Sequence, residues 1–166
     1  MVAPWNLVWS TPSPQPGPLP SHVTRSFVPT PSGNIELLYA APPSEDTGPA
    51  KTPLFFVHGG FGSAAVWLEF MSCLSQSHNI PCYAVSLRGH GNSWRPSFFR
   101  LVYLTGIRTL ANDLVAAVQH VQNLHGTEVV LVGHSSGGGL SQYVLNEGLL
   151  KAKGLALLAA TPCFGQ

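Results

Sequence analysis

Charged side chains are scarce in this sequence, and their scarcity excludes two classes of protein. The 166 residues include only eight Lys and Arg and seven Asp and Glu, which leaves a formal net charge of +1. Without a basic cluster the chain lacks the attraction to phosphates on which nucleic-acid binding depends. No apolar run reaches the roughly 18 uninterrupted residues that a membrane-spanning helix needs. We therefore expect no nucleic-acid partner and no membrane span.

Cysteine is also rare, and the N-terminus lacks the features of a secretory signal. Cys73, Cys82 and Cys163 are odd in number and have no C-x-x-C spacing, so neither a disulfide framework nor a metal site is indicated. The first ten residues contain no Lys or Arg, and Pro4 and Asn6 interrupt their apolar character. We expect reduced cysteines, no metal, no cofactor and a cytoplasmic location.

Proline is concentrated at one end of the chain. Twelve of the 15 prolines fall within the first 53 residues, most densely over 11–20. Such a stretch lacks backbone donors and resists both helix and sheet, so residues 1–22 are predicted to form an extended tail. The Pro-x-x-Pro spacing within it would also suit a partner that binds polyproline, but we assign the tail no function. A single domain is expected over residues 23–166.

From Val23 onward, short apolar runs alternate with helical patterns. Residues 23–28 and 35–40 predict a β-hairpin, and apolar side chains between 66 and 74, after a capping Ser63, predict a helix. A long periodic segment from Ile107 to Gly126 and a segment through Leu145 predict two more helices. This alternation indicates an α/β fold with a mostly parallel sheet and helices on both faces. Its further strands are predicted at 53–57, 82–87, 129–132 and 154–160.

One motif indicates a catalytic residue. Gly133 to Gly137 match G-x-S-x-G and stand between an apolar strand and a helix, the context in which this pattern indicates a nucleophile. We expect Ser135 on a sharp, strained turn, where Gly133, His134 and Gly137 form the nucleophile elbow and the two glycines avoid clashes. The backbone N–H of Ser136, at the start of the following helix, would stabilise an oxyanion.

Three motifs together resemble the α/β-hydrolase fold family of serine hydrolases. VHGGFG, SLRGHGNS and VGHSSGGG are similar, in order, to the loops after that family's third, fourth and fifth strands, and the resemblance covers Val23 to Thr161. It implies a second oxyanion N–H from Gly60, with Phe61 as the alternative. It also implies a small-molecule acyl substrate, cleaved at an ester or related bond without a cofactor. A serine at position 135 departs from epoxide hydrolases and haloalkane dehalogenases, which carry an aspartate there.

The sequence departs from the family pattern after the nucleophile. The family places an Asp or Glu and then a His downstream of the serine, but no His follows His134 and the only later carboxylate is Glu147. The resemblance therefore implies a fold truncated after the sixth strand, without the general base and acid. The run Leu155 to Ala160 agrees, because it is apolar on both faces and is expected to be an interior strand. If it is left at an edge, we expect it to promote self-association.

Other readings of the same residues remain open. A catalytically inactive hydrolase-like binding module is one alternative, because the base is absent. A remote alternative is an NADP-binding oxidoreductase, because Gly60 to Ala65 fit G-x-G-x-x-A and Arg88 ends the next strand. We interpret Asp113 as a structural hydrogen-bond acceptor, and three histidines as structural members of their loops: His58, His90 and His134. The oligomeric state is not indicated. Three aromatic residues either line an acyl pocket or pack in the core: Phe61, Trp67 and Trp94.

Overall fold

The computed structural model describes residues 16–43 and 51–162. These residues form six β-strands, four α-helices and a short 3-10 helix over Ala64–Trp67. The strands are β1 (Val23–Thr30), β2 (Gly33–Ala40), β3 (Leu54–Val57), β4 (Cys82–Val85), β5 (Val130–His134) and β6 (Gly154–Leu158), and the helices are α1 (Leu68–His78), α2 (Phe98–Tyr103), α3 (Ile107–His125) and α4 (Ser136–Asn146).

The strands form one sheet in the order β1-β2-β4-β3-β5-β6. β1 and β2 pair as an antiparallel hairpin, and β2 runs antiparallel to β4. β4, β3, β5 and β6 are parallel to one another, and each crossover between them contains a helix. The prediction of a mostly parallel sheet is confirmed. Because the sheet is parallel here, the loops after β3, β4 and β5 meet at one edge, where a site can form.

Apolar side chains on the two faces of the sheet enter two separate cores. In β3, Phe55 and Val57 join the core under α3 and α4, whereas Phe56 between them packs against Trp67 and Met71 on the other face. This alternation follows from the two-residue period of a strand. Helices therefore cover both faces, as predicted.

The helical segments differ in two respects from the prediction. Ser63 caps a 3-10 turn, with its hydroxyl accepting from the Ala65 N–H at 3.4 Å, and α1 begins only at Leu68. Val66 and Phe70 are 56% and 59% exposed, although both were expected to pack on the sheet. Helix α2 was not predicted, since its six residues are too short to show a periodic pattern.

The final strand lies at an edge of the sheet in the described part of the chain. β6 pairs with β5 on one side, and its side chains Leu155, Leu157 and Leu158 are 37–44% exposed. The expectation that this strand, left at an edge, exposes apolar side chains is therefore confirmed for these residues. Of the proposed tail over residues 1–22, residues 1–15 lie outside the described residues. In the remainder, Leu19 packs against the core and the Pro20 carbonyl accepts from Val23 N–H at 2.9 Å.

The described residues also bear on the cysteines, on metals and on membranes. Cys73 is an exposed free thiol and Cys82 a buried one, whereas Cys163 lies outside the described residues. Within the described ranges, no cluster of three or more His, Cys, Asp or Glu side chains could hold a metal ion. No helix in these ranges has the length and apolar character needed to cross a bilayer.

Candidate active site

Ser135 lies between β5 and α4 in a strained backbone conformation. Its φ is 50° and its ψ is −125°. Residues other than glycine rarely adopt positive φ, and conformations of this kind cost about 1–3 kcal/mol when surrounding contacts enforce them. The prediction of an unfavourable backbone at Ser135 is confirmed.

Hydrogen bonds from β6 and α4 hold this strained turn. The Ser135 N–H donates to the Leu158 carbonyl at 3.1 Å, and the Ser135 carbonyl accepts from the N–H groups of Gly138 and Thr161 at 3.0 and 3.1 Å. The Thr161 hydroxyl also donates to that carbonyl at 3.3 Å. Thr161 was not singled out from the sequence, although a small polar residue at the carboxyl end of a predicted parallel strand is a recognisable signal.

The glycines of the elbow permit close packing rather than unusual backbone angles. A Cβ atom on Gly133 would lie 2.6 Å from the Gly138 Cα, and one on Gly137 would lie 2.6 Å from the Val57 carbonyl oxygen. Neither glycine has a positive φ. The prediction that they prevent clashes is confirmed, and the backbone strain belongs to Ser135 itself.

The loop after β3 approaches the elbow closely, and we call its residues 58–62 the β3 loop. A Cβ atom on Gly59 would lie 3.1 Å from the Ser135 Cβ, and one on Gly60 would lie 3.5 Å from the Ser136 Oγ. The N–H groups of Gly60, Phe61 and Ser136 donate to no acceptor within the described residues. The structure thus brings the backbone of Gly60 close to Ser136, and the N–H groups of both residues are without partners in the described residues. The Phe61 side chain is fully exposed and contributes nothing to the core.

His58 is buried in the β3 loop as a neutral structural residue. Its Nε2 accepts from the Leu87 N–H at 3.1 Å, so the proton lies on Nδ1, which donates to the Gly59 carbonyl at 2.6 Å. Burial is the main reason that the pKa of His58 falls to about 4, and the neighbouring His90 lowers it further. His58 joins the β3 loop to the end of β4, as its structural interpretation predicts.

A cavity of about 340 Å³ opens beside these loops. His58, His90, Ser136 and backbone glycines of the β3 loop and α4 line one part of it. None of its lining residues is Asp, Glu, Lys or Arg, so it suits an uncharged group. Trp67 and Trp94 do not line it, and Trp67 packs in the core instead. Its apolar lining residues are Leu87, Ile107, Leu110, Leu140 and Pro162.

The loop after β4, residues 88–93, is held by a buried carboxylate that sequence reasoning missed. Glu36 of β2 accepts from Arg25 Nε at 2.7 Å, from the Ser86 hydroxyl at 2.6 Å, and from the Asn92 side chain and N–H at 2.6 and 3.0 Å. Burial alone would raise the pKa of Glu36, but the hydrogen bonds from Asn92, Ser86 and Arg25 outweigh it and hold the pKa below its usual value. A lone Glu in the apolar β2 was the signal for this role.

The same loop is anchored on its other side by a buried ion pair. Arg88 Nε donates to one carboxylate oxygen of Asp113 in α3, and Arg88 Nη2 donates to the other, both at 2.6 Å. Asp113 is therefore the structural acceptor that we inferred from the sequence. The guanidinium also stacks 5.6 Å above the Trp94 ring. Because Arg88 is 7% exposed and bidentately paired, it is poorly placed to bind a nucleotide phosphate.

The described residues supply no base to Ser135. Its hydroxyl makes no hydrogen bond within them, and both ring nitrogens of His58 and of His90 already face backbone groups. His134 is exposed, and its ring lies edge-on to Trp67 at 6.4 Å. The described geometry thus combines a half-buried serine in a strained turn with nearby N–H donors for an anion, without a proton acceptor.

Comparison with known proteins agrees with this geometry. Residues 54–166 match the alpha/beta hydrolase family. The chain is 31% identical over 107 residues to a probable protein phosphatase methylesterase 1 of Caenorhabditis elegans, covering 64% of this chain and 28% of that protein. It is 32% identical over 130 residues to protein phosphatase methylesterase 1 of Aspergillus oryzae, covering 72% of this chain and 29% of that protein. The chain therefore spans less than a third of the length of these relatives.

Solved structures share the fold at lower identity. An epoxide hydrolase of Vigna radiata superposes with a TM-score of 0.66 at 20% identity, covering 82% of this chain and 38% of that chain. A thioesterase domain from the curacin biosynthetic pathway gives a TM-score of 0.63 at 20% identity, covering 83% of this chain and 46% of that chain. With the family match over most of the sequence and the sheet order described above, the chain belongs to the alpha/beta hydrolase family.

Proposed function

We propose that this chain carries the nucleophile and the oxyanion hole of a serine hydrolase that cleaves an ester or related acyl bond. The observation that supports this most directly is the strained Ser135 between β5 and α4, with unpaired N–H groups of the neighbouring loops around it. A residue held in an unfavourable conformation by several hydrogen bonds is typical of a reacting position.

The proposed reaction uses these groups in two steps. The Ser135 oxygen attacks the acyl carbonyl, its proton passes to a general base, and the carbonyl oxygen becomes an oxyanion that accepts from the Ser136 and Gly60 N–H groups. Ser136 is the first residue of α4, so the positive end of the helix dipole adds to this stabilisation. The base returns the proton to the departing alcohol, and water then releases the acyl group from Ser135 by the same sequence of transfers.

The general base and its acid partner lie, in this proposal, outside residues 1–166. No histidine follows His134 in the sequence, and the histidine nitrogens near the site are engaged with backbone groups. An oxyanion hole without a base accelerates the reaction only roughly 10³- to 10⁴-fold over the rate in water. The 166 residues alone are therefore expected to be a very weak catalyst.

The cavity and the relatives suggest the substrate class. Because no charged residue lines the cavity, it favours an uncharged part of the substrate next to the scissile bond. The curated relatives are named as methylesterases of a protein phosphatase, which are esterases of a very small alcohol. We propose a carboxylic ester with a small alcohol group. The Ser at position 135 distinguishes this chemistry from that of the epoxide hydrolases that share the fold.

An inactive hydrolase-like binding module is the second candidate. The observation that favours it is the Ser135 hydroxyl, which lacks any hydrogen-bond partner within the described residues. In that case the cavity would bind an uncharged ligand without cleaving it.

Labelling and hydrolysis separate the two candidates. We expect the longest expressible form of the protein to react with a fluorophosphonate probe and to hydrolyse p-nitrophenyl acetate and a peptide methyl ester. Ser135→Ala should abolish both, whereas Ser77→Ala, an exposed serine of α1 far along the chain from the elbow, should leave both unchanged. Absence of labelling and of hydrolysis in the unmodified protein would favour the binding module.

A further inference from the structure

Two histidines hold the two peptide groups on either side of Gly60. The Gly59 carbonyl accepts from His58 Nδ1 at 2.6 Å, and the Gly60 carbonyl accepts from His90 Nε2 at 2.8 Å. The first peptide group carries the Gly60 N–H, and the second sets the direction in which Gly60 leads into Phe61. His58 belongs to the β3 loop itself, whereas His90 reaches it from the loop after β4, 30 residues away.

This arrangement matters because the restrained residue is a glycine. Glycine has the widest range of backbone conformations, so a donor carried by Gly60 would be poorly directed without outside restraint. A hydrogen-bond donor stabilises an oxyanion well only when it is directed at the oxyanion before the reaction begins. The Gly60 N–H has no acceptor within the described residues, and its peptide group is held through the Gly59 carbonyl, which accepts from His58 Nδ1 and from the Gly62 N–H at 3.0 Å. His90 holds the next peptide group, which carries the Gly60 carbonyl and the Phe61 N–H.

His90 is itself held firmly enough to act as a restraint. Its backbone N–H donates to the Leu87 carbonyl at 3.0 Å. Its Nδ1 lies 3.0 Å from the Arg88 carbonyl, an oxygen that can only accept, so in a neutral ring whose proton is on Nε2 this contact adds no hydrogen bond. The next residue, Gly91, has a φ of 52°, and a Cβ there would lie 2.5 Å from Glu36 Oε2. The buried carboxylate network therefore fixes the loop that presents the His90 ring to the β3 loop.

We propose that His90 is a positioning residue of the oxyanion hole. Its Nε2 hydrogen bond to the Gly60 carbonyl fixes the Gly60–Phe61 peptide group, while His58 fixes the Gly59–Gly60 peptide group. This rests on the proposed function, since an oxyanion hole needs a reaction to serve. His90 contacts neither the nucleophile nor the reacting atoms; it restrains Gly60, and Gly60 makes the contact. The His90 and His58 rings, 4.8 Å apart, together restrain the β3 loop from the β4 side.

The chemical test compares two substitutions of His90 in the longest expressible form of the protein. His90→Leu removes the donor, and kcat on p-nitrophenyl acetate should fall at least about tenfold while KM stays nearly constant, since the lost interaction exists in the transition state. His90→Gln retains an N–H donor of similar reach and should recover most of the rate. His120→Leu, at an exposed position of α3, is the matched control and should leave kcat unchanged. An unchanged kcat in His90→Leu, or equal losses in the Leu and Gln variants, overturns the proposal.

A second measurement does not depend on activity. In ¹⁵N relaxation, the Gly60 and Phe61 amides should have order parameters near that of rigid backbone, about 0.85. His90→Leu should lower that of Phe61, whose peptide group His90 holds, toward about 0.6. Equal values in both proteins overturn the proposal even if activity changes. If the unmodified protein neither hydrolyses esters nor reacts with a fluorophosphonate, the proposed function fails, and so does the role of His90 as a positioning residue of an oxyanion hole. The order parameters then still report whether His90 restrains the loop.

Discussion

The elbow after β5 and the loop after β4 lie at the same edge of the sheet, but they are held in place in different ways. At the elbow, Gly133 and the three consecutive glycines 137–139 let backbone groups approach one another, and Ser135 is fixed by hydrogen bonds to its own peptide groups. In the loop after β4, buried charged side chains provide the restraint: Glu36 on one side and the pair Arg88 and Asp113 on the other. In a chain with so few charges, those that are buried are concentrated around this loop.

The difference has a physical reason. A reacting serine needs open space and free N–H donors around it, which a dense network of side chains would occupy. The loop after β4 has no reacting atom in our proposal and only has to be rigid, so buried hydrogen-bonded charges suit it. Substitutions in the two regions should therefore differ in their effects on the free energy of unfolding and on ester hydrolysis.

Adding a single methyl group at the elbow should have the largest effect. In Gly137→Ala the new Cβ would meet the backbone carbonyls of Val57 and His58, which cannot move without displacing β3. We expect the free energy of unfolding to fall by more than about 4 kcal/mol, measured by urea denaturation. Gly154→Ala is the control, because its Cβ would meet only Val130 methyl groups at 3.7 Å. A Gly137→Ala protein as stable as this control would show that close packing does not hold the elbow.

Breaking the ion pair between Arg88 and Asp113 should give the second largest loss of stability. Arg88→Met leaves the Asp113 carboxylate buried without its partner and should cost about 3–5 kcal/mol. The double variant Arg88→Met, Asp113→Leu should recover a large part of that loss, because no charge remains to be buried. If the double variant is as unstable as the sum of the two single variants, the pair does not act as a unit, and the two residues stabilise the loop independently.

Relieving the strain at the elbow should give a smaller change of opposite sign. Ser135→Gly removes the side chain that disfavours a φ of 50° and should raise the free energy of unfolding by about 1–3 kcal/mol while abolishing ester hydrolysis. Ser135→Ala, which keeps a Cβ, should abolish hydrolysis without this stabilisation. Equal stability of the two variants would mean that the turn stores no strain.

The smallest effect concerns pH and the loop after β4. The pKa of Glu36 is lower in the folded protein than its ordinary value near 4.5, so the ionised carboxylate stabilises the fold above that value. This contribution should disappear as the pH falls through the lower, folded pKa. Urea denaturation between pH 7 and pH 3 should show the loss in the unmodified protein. Glu36→Gln should show a flatter profile over the same range, and parallel profiles for the two proteins would contradict this assignment.

The sequence alone predicted the local features at this edge of the sheet. The strand, turn and helix around Ser135 follow from short-range rules, because an apolar run, two glycines and a helical segment follow one another directly in the sequence. The three loop motifs also occur in the order that the fold requires. Helix α2 and the 3-10 start of α1 were missed, since short helices leave too weak a periodic signal.

What only the tertiary structure decided are the contacts between distant segments. Glu36 meets Asn92 across 56 residues, His90 meets Gly60 across 30, and Thr161 meets Ser135 across 26. No local pattern specifies such pairs, because each depends on which strands become neighbours and where their ends meet. The motif predicted a strained backbone at Ser135, but the bonds from β6 and α4 that enforce its φ of 50° come from distant contacts. The sequence thus determined where a nucleophile could lie, and the packing of the sheet decided how it is held.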